Sequence, residues 1–230
     1  MDRPPGRPMR TIAILPIKRF GAAKQRLARL LGNGARQALV QAMFQDVLAA
    51  LRHVEGLDAV AVVTGNATAA RAAHGEGVLV LDDSEESGHN EAAAVGIAYA
   101  IEHGFDRVLL VPGDAPLLDA AELEALLGDA TPAPSLIVVP DRHGTGTNAL
   151  LIAPPGALDP SFGPGSRERH QQLAAAAGLA FHVEALPSLA VDVDTPEDLD
   201  ELTALLKAPA NRTLARMTRG ALRQLERSLA

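Results

Sequence analysis

Short, unbroken apolar runs alternate along this chain with longer stretches in which apolar residues recur every three or four positions. The runs are rich in Val, Ile and Leu and are bounded by turn residues, so they predict buried strands at 11–17, 58–64, 78–81, 107–111, 136–140 and 148–153. Between them the helical period predicts a long helix ending near Leu51 and others at 67–74, 90–103 and 119–127. Strands alternating with helices predict an α/β fold, a doubly wound and mostly parallel central sheet with helices on both faces. The last third is less regular. A Gly/Pro-rich loop at 154–165 precedes a helix near 166–177 and a strand near 179–185, expected to add to the sheet antiparallel.

The ends of the chain depart from this pattern. Residues 1–10 are rich in Pro and Arg and predict a disordered extension, which leaves one domain over 11–207. In the segment 208–230, Arg212, Arg216, Arg219, Arg223 and Arg227 form one stripe and Leu214, Met217, Leu222, Leu225 and Leu229 another. Those spacings predict a basic amphipathic helix. A membrane surface, the protein's own acidic body and a second subunit in a homo-oligomer are its three readings, and docking on protein is the commoner one.

Composition narrows the chemistry. The 230 residues carry a net charge of −7, and the tail holds five Arg against one Glu, so the body is more acidic than the whole. An acidic body argues against general nucleic-acid binding. No apolar stretch is long enough to span a bilayer and the N-terminus lacks the apolar segment of a secretory signal, so a cytoplasmic location without membrane attachment is expected. With no cysteine, a metal here has only oxygen or imidazole ligands, and hard cations such as Mg²⁺ suit those best.

Asp114 follows the apolar run 108–111, so it falls in the crevice at the carboxyl end of a strand, poised to hold a metal. In Val191-Asp192-Val193-Asp194 a period of two places both carboxylates on one side of an extended segment, facing one cleft. The next acids have a structural duty: Thr195 as N-cap, Pro196 at N1 and Asp198 at N3 spell a helix start. Asp119 with Glu122 reads in the same way, as a capping box. After the first strand, Lys18, Arg19, Lys24 and Arg26 place four cations where a polyphosphate or plain solvent would meet them. Neither a Walker A pattern nor a G-x-G-x-x-G fingerprint follows a strand. A cationic loop facing three carboxylates is what nucleotidyl transfer needs, since a metal bridges phosphate oxygens while Lys and Arg hold the departing pyrophosphate.

Three further loops carry weaker signals. Asn90, after Gly88 and His89, offers an amide to a base edge or serves, like Ser87, as a helix cap. Asp141 to Asn148 and Phe162 to His170 are glycine-containing, and Ser166 near a helix N-terminus can bind an anion. His53, His74, His103 and His182 are scattered near element ends and read as structural, with no metal or triad spacing among them.

Taken in order, Leu15-Pro16-Ile17-Lys18, Ala23-Lys24-x-Arg26-Leu27, Pro112-Gly113-Asp114-x-Pro116, Asp141-Arg142-x-Gly144-Thr145-Gly146-Thr147-Asn148, Phe162-Gly163-x-x-Ser166 and Asp192-Val193-Asp194-Thr195-Pro196 resemble one family. It is the 2-phospho-L-lactate / phosphoenolpyruvate guanylyltransferases, which make the phosphodiester precursor of the deazaflavin coenzyme F-420. The resemblance spans about residues 10–206. It implies a single-domain, GT-A-like (Rossmann-like) nucleotidyltransferase that uses GTP and Mg²⁺, releases pyrophosphate, and takes phosphoenolpyruvate or 2-phospho-L-lactate as acceptor. By position it implies Asp114, Asp192 and Asp194 as metal ligands, and Asp114, Lys18 and Lys24 as catalytic residues. Lys18, Lys24 and Arg26 match the triphosphate contacts. Thr147, Gly163 and Ser166 match the acceptor site, and Asn90 matches a nucleotide-binding Asn, with His89 standing where the family has an apolar residue. Two alternatives remain at this level: a molybdopterin or sugar-phosphate nucleotidyltransferase of the same fold, and a nucleotide-binding regulator without turnover.

Overall fold

The computed structural model of the protein describes residues 9–18, 24–83, 88–128 and 131–229. Of the predicted N-terminal extension, residues 1–8 lie outside these, as do Arg19 and Ser87. Arg10 at its border is fastened: its backbone N–H donates to Asp106 at 2.8 Å and its guanidinium covers the Phe105 ring.

Among the described residues seven strands form one sheet: β1 (Thr11–Pro16), β2 (Ala59–Thr64), β3 (Leu79–Asp82), β4 (Arg107–Leu110), β5 (Ser135–Pro140), β6 (Thr147–Ala153) and β7 (Ala180–Val183). Their spatial order is β3-β2-β1-β4-β6-β5-β7. Every residue of β1 and β4 is buried, in keeping with strands whose two faces are both covered. The short strands β3 and β7 sit at the edges and are partly exposed. The sheet is mostly parallel, and β6 alone runs against both neighbours. The antiparallel strand is therefore not the one expected over 179–185: β7 runs parallel to β5. The short connection 141–146 between β5 and β6 allows only a hairpin return, which fixes β6 instead.

The helices are α1 (Asn33–Leu51), α2 (Ala67–Gly75), α3 (His89–Glu102), α4 (Ala120–Gly128), α5 (Ser166–Ala177), α6 (Pro196–Leu206) and α7 (Arg216–Leu229). Period two along β1 divides the core: Ala13 and Leu15 pack with α1, α2, α4 and α6, whereas Ile12 and Ile14 pack with α3 and α5. Among the described residues no helix is long and apolar enough to cross a membrane.

Chain direction explains where a site can form. From β1 the chain winds outward through β2 to β3, then returns to place β4 on the other side of β1. The loops that leave β1 and β4 therefore part in opposite senses and open a crevice at the carboxyl ends of these strands. There the Pro112-Gly113-Asp114 turn passes so close to Ile17 that a Cβ at Gly113 would overlap its Cδ1.

The tail helix docks on its own chain. Helix α7 packs on α1, and Leu214, Ala215, Ala221, Leu222 and Leu225 pack with the core, while Met217 of the same stripe stays exposed. Asp46 of α1, itself buried, accepts the N–H groups of Met217 and Thr218 at 2.9 and 2.8 Å and the Thr218 hydroxyl at 2.7 Å. A carboxylate thereby neutralises the positive end of α7. Asp46→Ala strands these donors and is expected to cost about 2 kcal/mol, measured by urea unfolding, and to expose Arg212 and Arg216 to trypsin; an unchanged midpoint and cleavage pattern would refute the docking role.

Candidate active site

The crevice is a cleft of about 720 Å³. Its acidic wall is built by one backbone contact. Val191 and Val193 bury their side chains in the core, and the Val193 N–H donates to the Asp114 carbonyl at 3.2 Å. That bond lays the segment 191–194 against the 113–114 turn, and strand-like alternation turns Asp192 and Asp194 outward beside Asp114. One oxygen from each of the three carboxylates lies within 4.8 Å of the others.

Three like charges so close repel, and the charge balance is visible in each group. Burial and then the charges of Asp114 and Asp194 push the Asp192 carboxyl above the usual carboxylate range, against the pull of Lys24. Lys24, in a left-handed backbone turn, brings its ammonium between Asp114 and Asp194 and bonds to both, the latter at 2.5 Å. Burial alone would lower this lysine, but the two carboxylates win and hold it above the ordinary lysine range. Asn148 positions Asp192: its amide donates to the Leu189 carbonyl at 2.6 Å and to Asp192 Oδ1 at 3.3 Å.

Asp198 keeps the predicted structural duty. It closes a capping box with Thr195 and also accepts the Asp194 N–H at 3.0 Å, while Arg142 pairs with its other oxygen at 2.6 Å. Burial would raise this carboxyl, yet the Thr195 and Asp194 hydrogen bonds and the Arg142 charge outweigh it and hold it below the usual range. Asp119 does cap α4, accepting the Ala121 N–H at 3.0 Å. Glu122 does not close that box, because it reaches across to the Ser188 N–H at 3.0 Å.

The opposite wall comes from Thr145 to Asn148 and from the loop before α5. Positive φ at Gly163 and Gly165, 119° and 70°, lets that loop curl over the N-terminus of α5, where Ser166 is buried. His170, one turn further along α5, is wholly enclosed, with Nδ1 3.0 Å from Thr147 Oγ1 and Nε2 accepting the Ser161 N–H at 3.0 Å.

Nine of the ten residues singled out in the sequence line this one cleft: Lys18, Lys24, Arg26, Asp114, Thr147, Gly163, Ser166, Asp192 and Asp194. Asn90 is the tenth. It neither lines the cleft nor caps α3, whose cap is Gly88; its Oδ1 accepts the Phe162 N–H at 2.8 Å. His89 faces the cleft instead, edge-on to Phe162 at 4.8 Å, and burial with the charges of Lys18 and Lys24 depresses its pKa against the opposing charge of Asp114. Sequence reasoning also left Asp141, Asn148 and His170 without roles. For His170 a signal existed, since Ser166 and His170 are four apart and share one face of a helix. His53 and His103 hydrogen-bond locally to carbonyls one turn back, and His103 stacks on the Tyr99 ring at 3.8 Å.

The fold and this cleft define a class, the nucleotidyltransferases. A protein of Desulfovibrio desulfuricans G20 described as a nucleotide-diphospho-sugar transferase superposes with a TM-score of 0.76 at 18% identity, covering 95% of this chain and 96% of the other. Within the class, residues 11–214 match the family described as guanylyl transferase, CofC like, and the chain belongs to it. A phosphoenolpyruvate guanylyltransferase of Conexibacter woesei is 50% identical over 221 residues, 96% of this chain and 98% of that protein. A 3-phospho-D-glycerate guanylyltransferase of Colwellia psychrerythraea is 34% identical over 213 residues, 93% of this chain and 100% of that one.

His170 gives the cleft a measurable acid response. Burial and then the charge of Arg169 push its pKa from 6.5 down to about 4. Between those values the unfolded chain binds a proton that the folded one refuses, so the stability this group contributes is complete above 6.5 and is lost as the pH falls toward 4. We expect a loss of roughly 3 kcal/mol over that interval that is missing in His170→Asn; parallel pH–stability curves for the two proteins would contradict it.

Proposed function

We propose that this guanylyltransferase moves the guanylyl group of GTP to phosphoenolpyruvate and releases pyrophosphate, as a cytoplasmic step that supplies the phosphodiester precursor of coenzyme F-420. The observation that carries the proposal is the pairing of two walls in one cleft: three carboxylates beside Lys18, Lys24 and Arg26, opposite an anion seat at the start of α5. The name of the half-identical relative from Conexibacter woesei favours phosphoenolpyruvate over 2-phospho-L-lactate.

The donor set fits Mg²⁺. Asp114, Asp192 and Asp194 offer oxygen only, and they already attract a cation, since Lys24 sits between two of them. Held by these three carboxylates, the ion would supply positive charge to offset the negative charge that develops during transfer. Lys18 and Arg26, exposed on the same wall, contact the triphosphate, and Lys24 neutralises the departing pyrophosphate. Thr147, Gly163 and Ser166 hold the acceptor by its anionic groups. A phosphate oxygen of the acceptor attacks the α-phosphorus in line, and the bond from that phosphorus to the oxygen bridging the β-phosphate breaks. Both electrons leave with pyrophosphate, and no covalent enzyme intermediate forms. No protein base is required, because the attacking phosphate is already anionic at neutral pH.

Mass spectrometry after incubation with GTP, Mg²⁺ and, in separate arms, phosphoenolpyruvate, 2-phospho-L-lactate and 3-phospho-D-glycerate tests the proposal. A guanylylated product is expected with the first; pyrophosphate released without any acceptor, or no product with any acid, would overturn it. In the same assay Asp114→Asn is expected to lower kcat by at least about 100-fold while the circular dichroism spectrum is unchanged. Near-normal turnover would remove Asp114 from the metal site.

A further inference from the structure

We propose that His170 is a positioning residue that sets the direction of the Thr147 hydroxyl, turning it into a hydrogen-bond donor aimed at the anionic acceptor. The inference deepens the functional reading above and rests on its assignment of Thr147 to the acceptor seat.

A backbone amide can only donate. The Ser161 N–H points at His170 Nε2 at 3.0 Å, so Nε2 must present its lone pair. A neutral imidazole carries one N–H, which then has to be on Nδ1. Thr147 Oγ1 lies 3.0 Å from Nδ1 and therefore accepts that proton. Its own hydroxyl proton, the only one it has, is left for a partner in the cleft. The polarity runs one way, from Ser161 N–H through the ring to Thr147 and on to the ligand. With the opposite tautomer the hydroxyl would be drawn to Nδ1, and only oxygen lone pairs would face an anion.

The rest of the loop locks this choice. His170 is wholly buried, with Phe162 against its ring at a centroid distance of 5.5 Å. Arg169 holds the Ser161 carbonyl at 2.9 Å and its hydroxyl at 3.2 Å, and also bonds the Pro164 carbonyl. Asn90 takes the next amide, that of Phe162. Ser161 is fixed on either side of its N–H, so the donor that selects the tautomer cannot turn away. Burial and the Arg169 charge also disfavour the doubly protonated ring, which would have to give up the Ser161 bond. Asn90 thereby gains a duty that its place outside the cleft had left unexplained.

Two measurements test the proposal. Nitrogen-15 NMR of the imidazoles, with the His170 signals identified by their loss in His170→Asn, should show Nδ1 protonated and Nε2 bare through neutral pH. The reverse pattern, or two protonated nitrogens, overturns the proposal without any substrate. In kinetics at saturating GTP, His170→Leu should raise KM for the acceptor about tenfold and leave KM for GTP unchanged. His170→Asn also leaves the Ser161 N–H unpaired, but its amide can replace the Nδ1 donor, so most of the loss should be recovered. In a Thr147→Val background His170→Leu should add less than about twofold. Equal damage by Leu and Asn, or additive damage with Thr147→Val, sinks the inference. Should His170→Leu not fold, the tautomer and the Asn variant still decide. Absence of turnover by the wild type with every acid would instead defeat the functional reading, and the tautomer measurement would remain.

Discussion

Three carboxylates held within 4.8 Å of one another cannot all stay charged without a cation among them, and the rest of the cleft is arranged around that demand. The sheet supplies the rigidity. Asp114 stands where β4 ends at the switch point, and the Val193 amide ties the second acidic segment to its carbonyl. Asn148 and Asp198 then set the ends of that segment, the first through Asp192 and the second through the Asp194 amide. Backbone ties of this kind keep the two acidic segments side by side, so the three carboxylates stay close. Lys24 relieves their repulsion by occupying the middle, at a position whose left-handed backbone only the surrounding structure can sustain.

On the proposed reading the facing wall meets the converse demand, the holding of anions, with the Arg169 guanidinium beside Gly163 and Gly165. Helix α5 offers its N-terminus, with Ser166 buried at its first residue and two glycines in left-handed conformations shaping the approach. Around them Asn90, Arg169 and His170 consume the loop's own polar groups, so little is left to reorganise when a ligand arrives. Such preorganisation is what in-line phosphoryl chemistry asks of a protein, because positioning and electrostatics supply most of the catalysis. Arg142 joins the walls, since its backbone N–H reaches the Ala190 carbonyl at 2.9 Å and its side chain pairs with Asp198.

Much of this was legible in the residue order. Apolar runs marked β1 to β6 to within about two residues, most plainly β1 and β4, because a strand buried on both faces must be apolar throughout; β7, at an exposed edge, carries a weaker pattern. The alternation in 191–194 marked Asp192 and Asp194 as one pair, and the cap at Thr195 explained their acidic neighbours. Less visible was everything that depends on a partner far along the chain. Glu122 looked like half of a local cap until Ser188 was found beside it. Asn90 looked like a ligand contact or a cap, and it spends its oxygen on Phe162, 72 residues away. His170 had a helical neighbour in Ser166 but no visible link to Thr147, which comes from another strand.

By itself the sequence determined which stretches become strands and helices, which carboxylates point together, and that this acidic, cysteine-free chain has no thiolate to offer a metal. Those properties follow from local periodicity and side-chain chemistry, which need only neighbours a few residues apart. Tertiary structure decided the direction of β6 and β7, the docking of α7 on α1, and the hydrogen-bond partners that orient Asp192 and Thr147. Each of these depends on which atoms the packed sheet brings within about 3 Å of one another, and separations of that kind are created by folding and appear nowhere in the order of residues.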